Sequence, residues 1–506
     1  MFRPLRLPPA AFFTLALAAL VTSPAHAQLA APAPTPAPSP ASAPAPLTLE
    51  ECVARALNQN FDLQLQQFAT QNARESVITA DASFDPTLFS SVSAAGAQDS
   101  TVSPTRNTRD QAASLGVTQL LASGATARVS TALERSKESP FVAPPLFNPV
   151  YNSDLALSVN QPLMQGFGVT ITRSAIERAR LAVSRAQYDF KDAVLTVIRN
   201  VESAYYILAF AREQLVVRKL SLAVAQTLFD ENTIRQRTGV ATSLDVLQAE
   251  VGVANARRDL LLAEQAVSDR EDALLNLIGR FANAQRPGPV RLSDEPAPAV
   301  SFDLSYALAL ANAPELASNQ LLAEQLKLDL AVAKNNRLPT LDLGAAVGLN
   351  GADRRNATSA LNSSASGDSY DWQVDLTLSI PWGLRAERAK YRQARTNLTR
   401  QETAIAQLDQ NLLVDVRAAV RAVDTNRETV TVSILATELS RKQFEAEKAR
   451  YEAGRSTYRF VEDARRDYDT ARVNELLARV NLRIAVAELS RLEGSSLTRY
   501  QVKLEK

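Results

Sequence analysis

The side chains that most often perform chemistry are nearly absent from this sequence. Its one histidine is His26 and its one cysteine is Cys52. His26 lies in a segment that we expect to be removed, which leaves no imidazole for acid–base catalysis or for binding a metal. The composition therefore argues against an enzyme and indicates no cofactor and no metal site. Cys52 cannot form an intrachain disulfide, and it lies too far beyond the expected cleavage site to carry a lipid anchor.

The first 27 residues have the order of a secretory signal peptide. Arg3 and Arg6 precede an apolar run over residues 10–21, and Ala25-His26-Ala27 supplies small residues at a cleavage site. The apolar run has about a dozen residues, whereas a membrane-spanning helix needs roughly 20. We therefore expect export, with the signal peptide (residues 1–27) cleaved after Ala27.

The mature chain is close to electrically neutral. Without Arg3 and Arg6, 53 basic residues stand against 54 acidic ones. This balance gives no basic field for nucleic acid, so no nucleic-acid partner is expected. Residues 28–46 form an Ala/Pro-rich linker, which favours an extended tether, and folding is expected to begin near Leu47.

The remaining sequence contains two copies of one unit. Early positions match at an offset of 253, as Pro86 matches Pro339, and later positions match at an offset of 215, as Gly239 matches Gly454. Because the offset falls by 38, the first copy carries about that many additional residues, mostly between Gln98 and Asn152. We predict a first repeat over residues 47–285, a linker over 286–298 and a second repeat over 299–506.

Each copy contains a very long helical segment. Residues 173–238 and 384–453 run for 66 and 70 residues without Gly or Pro, which predicts helices roughly 100 Å long at 1.5 Å per residue. The flanking helices are shorter, roughly 50–55 Å each. They are expected over about 49–82, 242–278, 302–336 and 457–493. We predict that each long helix packs beside two short ones stacked end to end, in a coiled coil or helical barrel.

The segments between the helices predict strands with one apolar face, over about 87–162 and 340–381. The clearest is 370–380, where Tyr370 and Trp372 begin the apolar face. Trp372 and Trp382, ten residues apart, would stand roughly 25 Å apart along a tilted strand, the height of an outer-membrane apolar band. Tyr370, Trp372 and Trp382 are therefore predicted to form an aromatic girdle. A soluble sandwich shows the same alternation, but expected export and the absence of a spanning apolar helix favour a membrane β-barrel.

Paired motifs mark corresponding points of the two copies. They are NFDL and APEL at the openings, PTL before each first strand, NQPLMQGFG and SIPWGLRAE at the strand exits, and TGVATSLDVLQAE and AGRSTYRFVEDAR after the long helices. In this order they resemble the TolC-like outer-membrane efflux channels over nearly the whole mature chain. The resemblance implies a mainly α fold with a membrane β-barrel, built from two tandem helix-strand-strand-helix repeats per chain.

The resemblance also implies an assembly and a function. Long antiparallel coiled-coil helices of a homotrimer would form an α-helical periplasmic barrel under a shared transmembrane β-barrel, usually of twelve strands. The homotrimer would contact outer-membrane lipid and would bind a periplasmic adaptor (membrane fusion) protein and an inner-membrane pump. It would be the exit duct of a tripartite efflux pump for small-molecule substrates, in the outer membrane and extending into the periplasm. The small number of strands per chain agrees with a shared barrel, because a closed barrel needs at least eight strands.

The first copy departs from the family pattern. Residues 115–120 and 125–133, around Ser123-Gly124, predict an additional hairpin. The hairpin either enlarges the barrel or caps it outside, so the sequence leaves the strand count open.

The resemblance locates a gate and a docking site where the helices meet at the two glycine turns. Family tip carboxylates correspond to Asp245 and Asp463, a further acidic position holds Phe460 beside Glu462, and Tyr451 occupies a gate position. Ser456 stands where the family has a gate arginine, with Arg455 and Arg459 as substitutes. The turns that resemble the adaptor contact are Gly239, Val240, Ala241 and Thr242, and Gly454, Arg455, Ser456 and Thr457. Carboxylates around a narrow entrance would favour cations, although each of these residues could also be a solvated helix cap.

Two alternatives remain at this point. An exit channel for type I protein secretion shares the architecture, and the lumen pattern does not separate it from drug or metal efflux. A periplasmic coiled-coil adaptor or structural protein is the alternative from a different class, but it would have no use for lipid-facing strands.

Overall fold

The computed structural model describes residues 47–101, 106–139, 150–239, 241–279, 287–290 and 299–502. The predicted signal peptide and Ala/Pro-rich linker, Val240, and residues 286 and 291–298 of the linker between the repeats lie outside the described residues.

The two repeats share an order of two short leading helices, strands, one long helix and one return helix, and each also contains elements that the other lacks. The first repeat contains α1 (Leu49–Gln59), α2 (Phe61–Asp81), β1 (Thr87–Asp99), β2 (Arg106–Leu120), β3 (Thr126–Ser139), β4 (Val150–Pro162), α3 (Val169–Thr172), α4 (Ser174–Arg237) and α5 (Ser243–Ile278). The second contains α6 (Phe302–Asn312), α7 (Pro314–Asn335), β5 (Thr340–Asp353), α8 (Ala357–Ser366), β6 (Tyr370–Ser379), α9 (Arg385–Glu452), α10 (Tyr458–Glu493) and α11 (Ser495–Arg499). This confirms a mainly helical chain with an antiparallel sheet in two repeats.

The leading helices are broken, whereas the sequence predicted continuous ones. In the first repeat the break is at Asn60, whose side chain accepts hydrogen bonds from the N–H groups of Asp62 and Leu63 and so begins a new helix. In the second the break is at Ala313, whose ψ of 105° before Pro314 is not helical. The breaks are equivalent, because 313 and 60 differ by the repeat offset of 253. The prediction was wrong here because it did not weigh these two start signals.

The long helices pack as the sequence predicted. Helix α4 packs against α1 and α2 and also against α5. Helix α9 packs in the same way against α6, α7 and α10. The repeats join because α10 and α7 also pack on α4. Among the described residues, one helix, α4, has a stretch long and apolar enough to cross a membrane, and over half of that stretch is buried within the protein. That burial is typical of a core helix.

The described strands form one six-stranded antiparallel sheet in the order β1 to β6. The predicted additional hairpin is β2 and β3, and it lies inside the sheet between β1 and β4. Helix α8 was not predicted. It packs on β4 and β5, where the Ser153 hydroxyl donates to the carbonyl of Ala360 at 2.7 Å.

The alternation of the last strand holds only as far as Ser379. Tyr370 and Trp372 share one face of β6 and are exposed. The strand ends before Pro381, so Trp382 lies in a turn and not on the strand face. The predicted common face of Trp372 and Trp382 is therefore wrong, because proline cannot extend the ladder of hydrogen bonds.

Candidate functional site

The candidate site is the tip, defined as the α4–α5 turn, the α9–α10 turn and the helix ends beside them. Gly239 and Gly454 end the two long helices, each with φ of +74°. Their N–H groups donate to the carbonyls of Gln236 and Tyr451, both at 3.0 Å. A Cβ at either glycine would meet no described residue within 4 Å. Glycine is therefore needed for the left-handed turn and not for space.

The helix starts after the two turns are capped differently. Asp245 accepts hydrogen bonds from the N–H and the hydroxyl of Thr242, while the Asp245 N–H donates to the Thr242 hydroxyl, which completes a capping box. In the second turn Thr457 makes no side-chain cap. The residue equivalent to Asp245 there is Phe460, which is 60% exposed.

Tyr451 connects the two turns. Its hydroxyl donates to Oδ1 of Asn232 on α4 at 2.8 Å, and Asn232 is completely buried. The Arg235 guanidinium lies 4.2 Å from the centre of the Tyr451 ring. Burial raises the pKa of Tyr451, although the charge of Arg235 lowers it and that of Asp245 raises it. The phenol therefore stays protonated and acts as a hydrogen-bond donor.

A buried group of charges fixes α10 to α4. Arg465 binds both oxygens of Glu462, each at 2.8 Å, and binds Asp469 at 2.6 Å. Ser221 of α4 donates to Asp469 at 2.8 Å and also contacts Arg465. Glu462 and Arg465 are only 6% and 5% exposed. All three charged residues lie on α10, and Ser221 connects them to α4. Removing one partner of the buried charge pair would leave the other unpaired.

The pKa values of the two carboxyls shift in opposite directions. Burial raises the pKa of Glu462, but the hydrogen bonds and charges of Arg465 and Arg466 outweigh it, so the net shift is downward. Burial also raises the pKa of Asp469, and the hydrogen bond from Ser221 and the charge of Arg465 only partly offset it. Glu462 is therefore the firmly ionised partner of Arg465.

The predicted tip residues fall into a buried set and an exposed set. Tyr451 and Glu462 are buried, and Tyr451 contacts Asn232 of the first repeat. The exposed set contains Arg455, Arg459, Phe460 and Asp463, with Arg459 and Asp463 3.9 Å apart. Ser456 contacts Glu447 of α9 and is partly buried. Glu462 therefore does not stand in for the missing acid at Phe460, since its carboxylate points into the protein and not toward solvent.

Sequence reasoning missed Asn232, Arg465, Asp469 and Ser221. A signal was present, because Glu462, Arg465 and Asp469 recur at helical spacing and so share one face of α10. The apolar residues Val461 and Ala464 lie beside that face and are also buried. Among the described residues, no group of three or more His, Cys, Asp and Glu side chains could hold a metal ion.

Residues 52–280 and 305–495 match the family described as outer membrane efflux protein. The chain belongs to this family. The match covers both repeats and both turns of the tip, and family membership assigns the outer membrane as the location.

Relatives of this efflux protein are export proteins and channels. The chain is 27% identical over 282 residues to the pyoverdine export outer membrane protein OpmQ of Pseudomonas aeruginosa, covering 55% of this chain and 54% of that protein. It is 23% identical over 301 residues to toxin and drug export protein A of Aggregatibacter actinomycetemcomitans, covering 58% of this chain and 63% of that protein. The chain thus matches between about half and two thirds of the length of these relatives.

The fold is also that of solved channels. The Campylobacter jejuni CmeC outer membrane channel superposes with a TM-score of 0.67 at 16% identity, over 90% of both chains. The open state of the Neisseria gonorrhoeae MtrE outer membrane channel superposes with a TM-score of 0.64 at 18% identity, over 88% of both chains. At this identity the likeness shows the fold alone.

Proposed function

We propose that this chain is one third of a homotrimeric exit duct of a tripartite efflux pump, reaching from the outer membrane into the periplasm. In this proposal the exported chain has lost its signal peptide after Ala27, has no lipid anchor, and conducts small molecules passively. An adaptor and an inner-membrane pump dock at the tip, and the pump supplies the energy. The observation that carries the proposal is that the helical layer and the β-sheet both have unpaired edges on the same two sides of the chain, where a neighbouring copy can bind.

The helical layer has one open edge at α2 and α5 and another at α9. Along the upper half the packing order is α2, α4, α7, α9, and near the tip it is α5, α4, α10, α9. Both edges expose apolar side chains that a neighbouring copy can bury. They are Leu65, Phe68 and Ile78 of α2, Leu244, Leu247 and Val251 of α5, and Val432, Leu435 and Leu439 of α9.

The sheet is open on the same two sides. β1 follows α2 and β6 precedes α9, and they are the two edge strands. Six antiparallel strands leave β1 and β6 running in opposite directions, so β6 of one copy can pair antiparallel with β1 of the next. Such head-to-tail contacts close into a ring when the rotation per copy divides a full turn. In a trimer, each of the three copies would contribute four tip helices to the wall of one shared conduit.

The apolar face of the sheet supports contact with lipid. Tyr370, Trp372 and Val374 are exposed on one face of β6, and Trp382 is exposed in the turn that follows. Outer-membrane barrels carry such an apolar band, with aromatic residues at its borders.

The tip supports gating at the periplasmic end. Asp245 and Asp463 would form threefold rings that favour cations at the entrance, while Tyr451 and Glu462 would hold the α9–α10 turn against α4. Arg455 and Arg459, exposed beside these acids, would reduce the cation preference, and Phe460 would add an apolar ring instead of an acidic one.

The two turns also support docking of the adaptor, which suggests a direct test. Replacing both tip glycines with leucine (Gly239→Leu with Gly454→Leu) adds bulk outward, because none of the described residues lies within 4 Å of the added Cβ. We expect at least a tenfold loss of drug resistance conferred by the complete pump, with the heat-sensitive trimer still extracted from outer membranes. Residues 239–242 and 454–457 would thereby be identified as the contact.

A matched control is available at Gly367, at the end of α8. Its φ is +73°, and in the described part of the chain a Cβ there also meets nothing within 4 Å. Gly367→Leu therefore carries the same backbone strain away from the tip. This control should retain resistance. Full resistance in the double variant would refute the docking assignment. If the unmodified protein were instead a water-soluble monomer without detergent, the channel proposal itself would be refuted.

The cargo is inferred from the relatives. Pyoverdine export, in the name of one relative, favours a small molecule, whereas the toxin in the name of the other keeps protein secretion as the alternative. Deleting the gene of the partner pump and measuring drug resistance and secreted protein separately decides between them.

A further inference from the structure

The β2–β3 hairpin is hydrogen-bonded on both sides into the sheet. β2 pairs with β1 from Arg106 to Thr118, and β3 pairs with β4 from Thr126 to Ser136. We infer that this hairpin is part of the lipid-facing wall, so that each chain contributes six strands and a trimer encloses a barrel of eighteen, in place of the twelve that the family resemblance implies. The inference rests on the proposed trimeric channel, and it removes the alternative of a cap outside the barrel.

The register of the sheet provides the main argument. One row of directly paired positions crosses all six strands, and every member is a large apolar side chain that the chain itself leaves exposed. The row is Leu88, Val117, Val129, Leu157, Val347 and Trp372. The two members on the hairpin continue the row without a gap. In a cap surrounded by water this row would be exposed to solvent, and exposing large apolar side chains to water is unfavourable.

The opposite face shows the complementary pattern. The neighbouring row there contains Phe89, Gly116, Ser130, Ala156, Gly348 and Asp371, and every member except Phe89 is small or polar. Small and polar side chains on this face suit a water-filled lumen. The hairpin therefore has the same inner and outer faces as the four strands around it.

The inner face also contains a contact that only a continuous sheet permits. The ring of Phe89 on β1 extends over Gly116 on β2 and reaches the guanidinium of Arg128 on β3, 4.1 Å from the ring centre. A Cβ at Gly116 would clash with the Phe89 ring and would lie 2.6 Å from the carbonyl oxygen of Val129. Glycine at this position thus lets β1 pack across β2 onto β3.

The outer face of the hairpin ends in positive charge. Arg109 and Lys137 are directly opposite each other near the end of the sheet farthest from the long helices, and both are exposed. Like charges in directly paired positions are destabilising unless a counter-charge is near. Beyond an apolar row, phosphate groups of membrane lipids provide that counter-charge, which fits a strand pair that crosses the membrane.

A wider barrel follows from the strand number. Barrel diameter grows roughly linearly with the number of strands, so eighteen strands give a lumen about 1.5 times as wide as twelve. The membrane section is then the wide part of the duct, and the tip remains the part that restricts passage.

The test compares the environments of single cysteines in lipid nanodiscs. Val129→Cys on the outer face of the hairpin, Ser130→Cys on its inner face and Val374→Cys on β6 are each labelled with a fluorophore. The native Cys52 is fully buried and its pKa is raised to about 12 by burial, so its thiol does not compete near neutral pH. We expect bromine-substituted lipids to quench the fluorescence at positions 129 and 374 at least twofold, and to leave position 130 unchanged.

The three positions separate the two proposals. Quenching at 374 without quenching at 129 would overturn the inference and leave the channel intact. Absence of quenching at all three would instead contradict the membrane sheet itself.

A deletion provides a second measurement. Joining Thr101 directly to Val150 removes β2 and β3 and leaves a chain with four strands, in which β1 and β4 keep their directions. Electron cryomicroscopy of the complete chain in nanodiscs should count eighteen strands, and the deletion variant should count twelve. Twelve strands in the complete chain would overturn the inference whether or not the deletion variant folds.

Discussion

The two turns of the tip have the same backbone and different side-chain chemistry. Both follow a glycine with φ of +74°, and both lead into a helix of 36 residues. The first turn is stabilised within itself by Thr242 and Asp245. The second lacks that cap and is held by α4, through Asn232 on Tyr451 and through Ser221 on Arg465 and Asp469. Duplication thus preserved the shape of the turn, while its stabilisation moved to contacts between the repeats.

The largest effect is expected from breaking the buried charge group. Arg465→Ala leaves Asp469 without its cation and Glu462 with Arg466 alone, which lies 2.9 Å away. Breaking a buried ion pair costs roughly 3–5 kcal/mol, and the remaining arginine favours the lower end of that range. Hydrogen–deuterium exchange at the start of α10 should report an opening free energy lower by about 3 kcal/mol.

The repeat supplies the control for that variant. Glu250 is the position equivalent to Arg465 in the first repeat, and it is exposed. Glu250→Ala should change exchange at the start of α5 by less than about 0.5 kcal/mol, as for surface substitutions in general. Equal effects of the two substitutions would mean that the two turns are stabilised alike.

A smaller loss is expected from the Tyr451 hydroxyl. Tyr451→Phe leaves Oδ1 of the fully buried Asn232 without its donor, which costs about 1–3 kcal/mol. The control is Tyr458→Phe nearby, since in the described part of the chain the buried Tyr458 hydroxyl has no hydrogen-bond partner. Hydrogen–deuterium exchange at the end of α9 should increase in Tyr451→Phe and should stay the same or decrease in Tyr458→Phe. The reverse order would show that Asn232 does not depend on Tyr451.

Sequence reasoning found the features that depend on local pattern. Helix length, the stops at Gly239 and Gly454 and the alternating strands follow from spacing and from single residues, and the structure has them. The additional hairpin was also predicted, because its two apolar alternations flank Ser123-Gly124.

The features that sequence reasoning missed depend on tertiary contact. Nothing local to Arg465 shows that Ser221, 244 residues earlier, lies beside it. Whether the hairpin joins the wall depends on the register of β2 and β3 with β1 and β4, which alternation alone does not fix. The resemblance named Glu462 as a neighbour of the gate, but the direction of its side chain needed the packing of α10 on α4.

Exchanging the caps tests the comparison most directly. Asp245→Ala removes the capping box and should destabilise the start of α5 by about 1 kcal/mol. Phe460→Asp places an acid three residues after Thr457 and should stabilise the start of α10 by a similar or smaller amount. Reversal potentials of the channel in planar bilayers should shift toward lower cation preference in the first variant and higher in the second. Unchanged potentials in both variants would remove these positions from the entrance.

The smallest effect is expected from acid, because the two buried carboxyls respond in opposite directions. The pKa of Glu462 is lowered from its ordinary 4.5, so its contribution is present above pH 4.5 and is lost as pH falls through the lowered value. The pKa of Asp469 is raised from 3.8, so its contribution is present below pH 3.8 and is lost as pH rises through the raised value. In the unmodified protein these two changes partly cancel as the pH falls. Asp469→Asn keeps an acceptor for Ser221 but removes the opposing titration, so exchange at the start of α10 should increase more steeply with acid in this variant than in the unmodified protein. Parallel profiles for the two proteins would show that Asp469 does not titrate in this range, and that Glu462 alone sets the acid response of the second turn.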